Sequence, residues 1–212
     1  MNLRLNILAI IAVALSSAVI GCGPVLAPQP DRSKFYTLTP VDAATSQPPL
    51  PIVLGLGPVN MPSYLDRNAV VIRTSPTEMD VSAVDRWAEP LSANFTRTLT
   101  EDLSRTLSPK QIVQFPWFTA TLPDYQVEIY VYRFEANSAG TAVLSGRWAI
   151  RNPVTHKTLY SSDMNISQPV AKGDGAGAAA LSKAVGQLST EIAAAVRELP
   201  PPQQPAKTNQ QS

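Results

Sequence analysis

The 212-residue sequence holds one cysteine, Cys22, and one histidine, His156, so most nucleophilic and metal-assisted chemistry has too few groups to run on. A zinc site would need carboxylates for nearly every ligand, whereas zinc sites are built mainly from imidazole and thiolate. His156 falls in the polar stretch Asn152 to Lys157, between two strand-like runs, and reads as a solvated turn residue. No Gly-x-Ser-x-Gly elbow, Walker-type phosphate loop or His-Glu-x-x-His helix occurs. Gly173-Asp174-Gly175-Ala176-Gly177 has the glycine density of a phosphate loop, but no apolar strand precedes it to present it, and it reads as the entry to a helix. The acidic residues form no pair that periodicity places on one face. Asp66-Arg67 and Asp85-Arg86 read as turn or surface ion pairs of little individual worth. The expectation is no catalytic residue, no metal ligand and no cofactor.

Cys22 is the residue with chemistry left to it. Arg4 supplies a positive start, an apolar run follows from Leu5, and Ser17-Ala18-Val19-Ile20-Gly21-Cys22 ends it with a small residue before the cysteine. This arrangement resembles a bacterial lipoprotein signal with its lipobox, although the commoner pattern has Leu where Val19 stands and Ala or Ser where Ile20 stands. The alternative is a plain transmembrane anchor, since the run is almost long enough to span a bilayer. A Gly-Cys pair followed at once by a Pro-rich polar tract favours processing and lipidation. The thiolate would take a diacylglyceryl group, and the amino group freed by cleavage a third acyl chain; one chain binds a membrane marginally, two or more stably. Lipoprotein signals that hold a protein at the inner membrane tend to carry Asp after the cysteine. Gly23 stands there, which implies an outer-membrane address facing the periplasm.

Removing residues 1–21 from 212 leaves 191, enough for one domain with a sizeable core. Arg4 is one of 17 basic residues, so the remainder balances 16 basic against 16 acidic. No basic footprint for nucleic acid follows from that balance. Residues 22–33 read as the lipidated cysteine and a Pro-rich spacer, 34–199 as one globular domain, and 200–212 as a disordered Pro/Gln-rich tail. Strands are expected at Lys34 to Thr39, Ile52 to Val59, Ala69 to Arg73, Met79 to Ala83 and Ile112 to Phe115. Tyr125 to Tyr132 alternates with period 2 and slips phase at Arg133-Phe134, the mark of a bulge. With the runs around Leu144 to Ile150 and Thr158 to Ile166 it makes an antiparallel three-strand meander. A first helix opens near Ala88 to Pro90 with Leu91, Phe95, Leu99, Leu103 and Leu107 at every fourth position, a stripe that winds around the helix and so touches two surfaces. A second, about Ala178 to Leu199, carries an amphipathic stripe from Leu181 to Leu199. The fold class is α/β, bordering on α+β: a mixed sheet with a meander and two long amphipathic helices packed on it.

Four stretches carry a family resemblance: Phe35-Tyr36-Thr37-Leu38; Pro62-Ser63-Tyr64-Leu65-Asp66-Arg67 before an apolar strand; Arg86-Trp87-Ala88-Glu89-Pro90-Leu91 opening a helix; and Asp124-Tyr125 opening a strand that ends in Arg133-Phe134-Glu135. In order and spacing, together with the lipobox, they resemble the ABC-type transport auxiliary lipoproteins, the paraquat-inducible protein C group. The resemblance covers Cys22 to about Leu199. It implies a mixed α/β domain without catalysis that stands at the outer membrane, accessory to an Mce-type lipid transport system, with a periplasmic Mce-domain protein as partner. An apolar groove handling lipid directly, and a ring of copies suited to a tubular partner, are further expectations. Tyr64, Leu65, Asp66 and Arg67 are the candidate partner-binding residues, with a fold-specifying role as the alternative, and Trp87 is expected to cap the core. A cell-envelope enzyme is the competing function; it would need a carboxylate dyad that the sequence does not reveal.

Overall fold

The computed structural model describes residues 30–41, 47–117 and 122–202. The leader 1–21, Cys22 and all but the start of the 200–212 tail lie outside the described residues. The chain divides into two compact units, Met1–Arg32 and Ser33–Ser212, and the elements below belong to the second.

The sheet is built on β6 (Tyr125–Asn137), the long alternating strand. β7 (Thr141–Arg151) pairs antiparallel along one edge of it and β8 (Thr158–Pro169) pairs antiparallel with β7, forming the expected meander. The other edge of β6 is shared. β2 (Val53–Asn60) runs parallel to its first part, from Leu54↔Tyr125 to Asn60↔Tyr130, and β3 (Ala69–Arg73) runs parallel to its end at Ile72↔Ala136 and Arg73↔Asn137. β5 (Gln111–Gln114) extends the sheet beyond β2, while β4 (Met79–Trp87) and then β1 (Lys34–Tyr36) extend it beyond β3. The result is a mixed sheet of eight strands in the α/β class.

α1 (Leu91–Leu107) and α2 (Ala176–Glu198) pack on one face of the sheet and against each other. All five residues of the four-step stripe on α1 are buried, and the helix meets both β2 and α2, as a winding stripe requires. Pro90 precedes its first turn, and Ser108 closes it in the left-handed region at φ 44°. From β6 and β7 the core receives Val127, Ile129, Val131, Phe134, Leu144, Trp148 and Ile150. The phase slip is real: the β6–β7 register shifts between Val131 and Arg133. That bulge turns Phe134 toward the helices, where its ring meets Phe95 edge-on at 5.3 Å. Gly146 is opposite the same segment, and a Cβ there would overlap the Tyr130 carbonyl oxygen and lie 2.6 Å from Met164 Cε.

Several element boundaries differ from the sequence expectation by one to five residues, and three of them have a visible structural reason. β1 stops at Tyr36 instead of Thr39 because helix side chains take over its backbone donors: Leu38 N–H goes to Asn94 Oδ1 (3.1 Å), Thr39 N–H to Ser182 Oγ (3.1 Å) and Val41 N–H to Asp102 Oδ1 (2.9 Å). β4 runs past Ala83 to Trp87, since Asp85, Arg86 and Trp87 pair parallel with Lys34, Phe35 and Tyr36. α2 begins at Ala176, two residues early, after Gly175 in the left-handed region at φ 72°.

Candidate functional site

Between the end of β2 and the start of β3 the edge of β6 has no strand partner, and the 61–68 connection lies across that gap. Its centre is one 3-10 turn, Ser63–Leu65, closed by Leu65 N–H to Pro62 O and Asp66 N–H to Ser63 O, both 3.0 Å. Leu65 is buried on the helix side. Tyr64 engages Glu135 instead, donating its hydroxyl to Oε2 at 2.6 Å.

Glu135 is the buried polar centre of this junction. Because the bulge shifts the phase, Phe134 enters the core and Glu135 takes the opposite side of the strand. Its side chain is 0% exposed, and its carboxylate is saturated: Oε1 accepts from Arg73 Nε (2.7 Å) and Arg133 Nε (2.9 Å), and Oε2 from Tyr64 and the Phe134 N–H (3.1 Å). Burial pushes the Glu135 pKa up, but hydrogen bonds from Tyr64, Arg73 and Arg133 outweigh it and hold the carboxyl below the usual glutamate range. The Tyr64 phenol is pushed up to about 12, first by burial and then by Glu135. Tyr64 is therefore neutral and a donor, and Glu135 a charged acceptor, across the physiological range.

Asp66 and Arg67 lie at the tip of the turn and are exposed. Among the described residues they do not form the ion pair expected of adjacent opposite charges. Asp85 and Arg86 do not pair with each other either: Asp85 accepts from the Tyr36 hydroxyl (3.1 Å) and from Ser82 Oγ (3.1 Å), while Arg86 Nε reaches Ser33 Oγ (3.4 Å). The four candidate partner-binding residues thus divide into two that hold the fold, Tyr64 and Leu65, and two that face solvent. Trp87 is 5% exposed and belongs to the core, as expected.

Behind Leu65, on the helix side, lies a cavity of about 210 Å³ between β3, β4 and the start of α2. Leu65, Val70, Ile72, Trp87, Leu91 and Leu181 are among its apolar walls. Its mouth is polar, with Tyr36, Asp85 and Asp174, and Lys34 Nζ lies 2.6 Å from Asp174 Oδ2. The Gly173 to Gly177 run, which resembled a phosphate loop, forms the rim of this cavity as it enters α2. A Cβ on Gly177 would stand 3.7 Å from Ala136 Cβ, an ordinary van der Waals contact.

The remaining chemistry is sparse among the described residues. No group of three or more His, Cys, Asp or Glu side chains converges as metal ligands. His156 is exposed in its turn at φ 57°, where its N–H bonds Asn152 O (2.9 Å). Sequence reasoning missed the Glu135 cluster and a polar line on α1. Asn94, Thr98 and Asp102, each fully buried, recur at four-residue spacing, so they share a helix face. Burial pushes Asp102 up to about 6, against the opposing effect of its Val41 hydrogen bond. The signal was a second four-step series in α1, offset by one residue from the apolar stripe, which a search for apolar periodicity does not register because its members are polar.

The described residues form a mixed eight-stranded α/β domain with two helices, and residues 36–193 match the ABC-type transport auxiliary lipoprotein component family; the chain belongs to that family. Among curated proteins it is similar to the intermembrane transport lipoprotein PqiC of Escherichia coli and of Shigella flexneri. Each is 28% identical over 94 residues, which is 44% of this chain and 49% of the relative. The chain spans about half the length of these relatives in that match. Two crystal structures share the fold. One, a Xanthomonas campestris protein, is 20% identical with a TM-score of 0.64 over 75% of this chain and 92% of that one. The other, an uncharacterised protein, is 22% identical with a TM-score of 0.63 over 77% and 98%.

Proposed function

We propose that the protein is a non-catalytic docking subunit of an Mce-type ABC lipid transport system, anchored at the periplasmic face of the outer membrane through acyl chains on Cys22. The observation that carries this reading is the construction of the Tyr64 to Arg67 turn. Tyr64 is fixed to a buried carboxylate on one side of the sheet edge and Leu65 to the core on the other, so Asp66 and Arg67 are held out at a defined place. Exposed charges on a backbone fixed from both sides suit recognition of a partner, because little ordering cost falls on binding. Membership of a transport auxiliary family supports the same reading. The periplasmic Mce-domain protein is the partner, and a ring of copies of this chain would match a tubular one.

The test is capture of periplasmic Mce-domain proteins on an immobilised fragment spanning 23–212. Capture that weakens when Asp66 and Arg67 are charge-reversed supports the reading. Absence of any such capture, with turnover of peptidoglycan by the same fragment, would replace it with an envelope enzyme.

A further inference from the structure

β3 and β6 run parallel and end side by side at Arg73↔Asn137, so the turns that leave them are neighbours. Ser138 joins the two turns, its N–H donating to Arg73 O (3.0 Å) and its Oγ to Thr74 O (3.3 Å). Between them opens a cleft of about 490 Å³ whose walls include Arg73, Thr74, Ser75, Arg133, Asn137 and Ser138. The carboxyl ends of neighbouring parallel strands are where open α/β sheets take their ligands. We propose that this cleft binds a small phosphorylated sugar or polyol, its phosphate held by the Arg133 guanidinium and the hydroxyls of Thr74 and Ser75.

Charge calls for an anion. Two guanidiniums line the cleft and, among the described residues, no acidic side chain does; Glu78 and Asp80, which follow the first turn, are not among its walls. Glu135 Oε1 accepts the Nε of both arginines (2.7 and 2.9 Å), so it fixes both side chains and balances one of their two charges. The positive charge left over in a concave site concentrates anions there. The donors separate phosphate from carboxylate. Arg133 gives only its Nε to the protein, so both of its Nη groups keep their N–H donors. Among the described residues the Thr74 and Ser75 hydroxyls hold no hydrogen bond, and Asn137 uses only Oδ1, which accepts from the Thr141 N–H (2.9 Å). These groups belong to two separate chain segments and approach from more than one direction. A planar carboxylate is satisfied by one guanidinium fork, whereas a phosphate group carries three strong acceptor oxygens. Size and lining set the rest of the ligand. A bare phosphate would fill little of the cleft, whose volume falls within the roughly 300–1,000 Å³ of pockets that enclose a drug-sized molecule. Hydroxyl and amide side chains replace the apolar walls usual in such pockets, so the group bearing the phosphate is rich in hydroxyls. Asp66 and Arg67 do not line the cleft, and the ligand is tested without the protein partner, so failure of either reading leaves the other standing.

Calorimetric titration of the full chain in a non-ionic detergent, with glucose 6-phosphate as the probe, tests the assignment. The expected result is saturable binding at one site, at least about tenfold weaker for gluconate and for inorganic phosphate, and no binding of glucose. Arg133→Gln should weaken glucose 6-phosphate at least about tenfold. Thr74 is exposed and lies outside the Glu135 cluster, and Thr74→Glu should produce the same loss by setting a carboxylate against the phosphate. The outcome therefore does not depend on how well Arg133→Gln folds. No saturable binding by the wild type, or wild-type affinity in either folded variant, would overturn the site. Gluconate or glucose binding as tightly as glucose 6-phosphate would overturn the phosphate, and inorganic phosphate binding as tightly would overturn the sugar.

Discussion

Replacing Tyr64 with phenylalanine removes one oxygen from a buried polar cluster, and the structure gives the size of the effect. The lost hydrogen bond runs 2.6 Å to a fully enclosed carboxylate, and a hydrogen bond to a charged group contributes about 1.5–3 kcal/mol. Glu135→Gln removes the charge that Arg73 and Arg133 share. Arg73 is 18% exposed and Arg133 39%, so the first pair falls near the buried regime and the second is largely screened by solvent. Taken together this places Glu135→Gln at about 3 kcal/mol, the low end of what removing one partner of a buried pair costs. The two substitutions act on one bond, so the double variant should fall short of the sum by about 1–2 kcal/mol. Urea unfolding of the four proteins measures this, with the midpoint moving and the slope unchanged. Because the folded pKa of Glu135 is lowered, its contribution is complete above the unfolded glutamate value and fades as pH falls through the folded one. If Tyr64→Phe leaves the midpoint unmoved, or if the two effects simply add, the turn is not anchored through Glu135.

Asp102 should behave in the opposite sense. Its folded pKa is raised from 3.8 to about 6, so the folded chain holds a proton that the unfolded chain has lost, and stability falls as pH rises from about 4 to 6. Asp102→Asn keeps an acceptor for the Val41 N–H and should add about 1–3 kcal/mol at pH 8 while flattening that slope; an unchanged pH–stability profile would contradict the burial of a charged group. Gly146→Ala forces a Cβ into the Tyr130 carbonyl and Met164, and should cost about 2–3 kcal/mol in the urea midpoint; a neutral result would contradict the β6–β7 register. Cys22→Ala should leave an unlipidated, uncleaved precursor, and acyl labelling of that variant would rule out the anchor.

The sequence was most legible where one physical signal dominated. Period-2 alternation in β6 located both the strand and its bulge, since burial of Tyr125, Val127, Ile129 and Val131 on one face leaves no other phase. The four-step apolar stripe located α1 within its observed limits for the same reason. Boundaries set by partners distant in sequence were not legible. β1 is cut short by Asn94, Asp102 and Ser182, and the end of β4 is made by pairing with β1. The candidate site was half legible. The motif order pointed to residues 64–67, but nothing local distinguishes Tyr64 and Leu65, which are held, from Asp66 and Arg67, which are presented. That distinction depends on Glu135, 71 residues from Tyr64, and on the bulge that turns it away from the core.

The most direct test of the docking account is the affinity of a periplasmic Mce-domain protein for the wild-type chain and for a variant carrying Asp66→Lys and Arg67→Glu. Both residues are exposed, so the variant should unfold at the wild-type urea concentration, within about 0.5 kcal/mol. The account predicts binding by the wild type and a loss of at least about tenfold in the variant. Equal affinity for both proteins would contradict it.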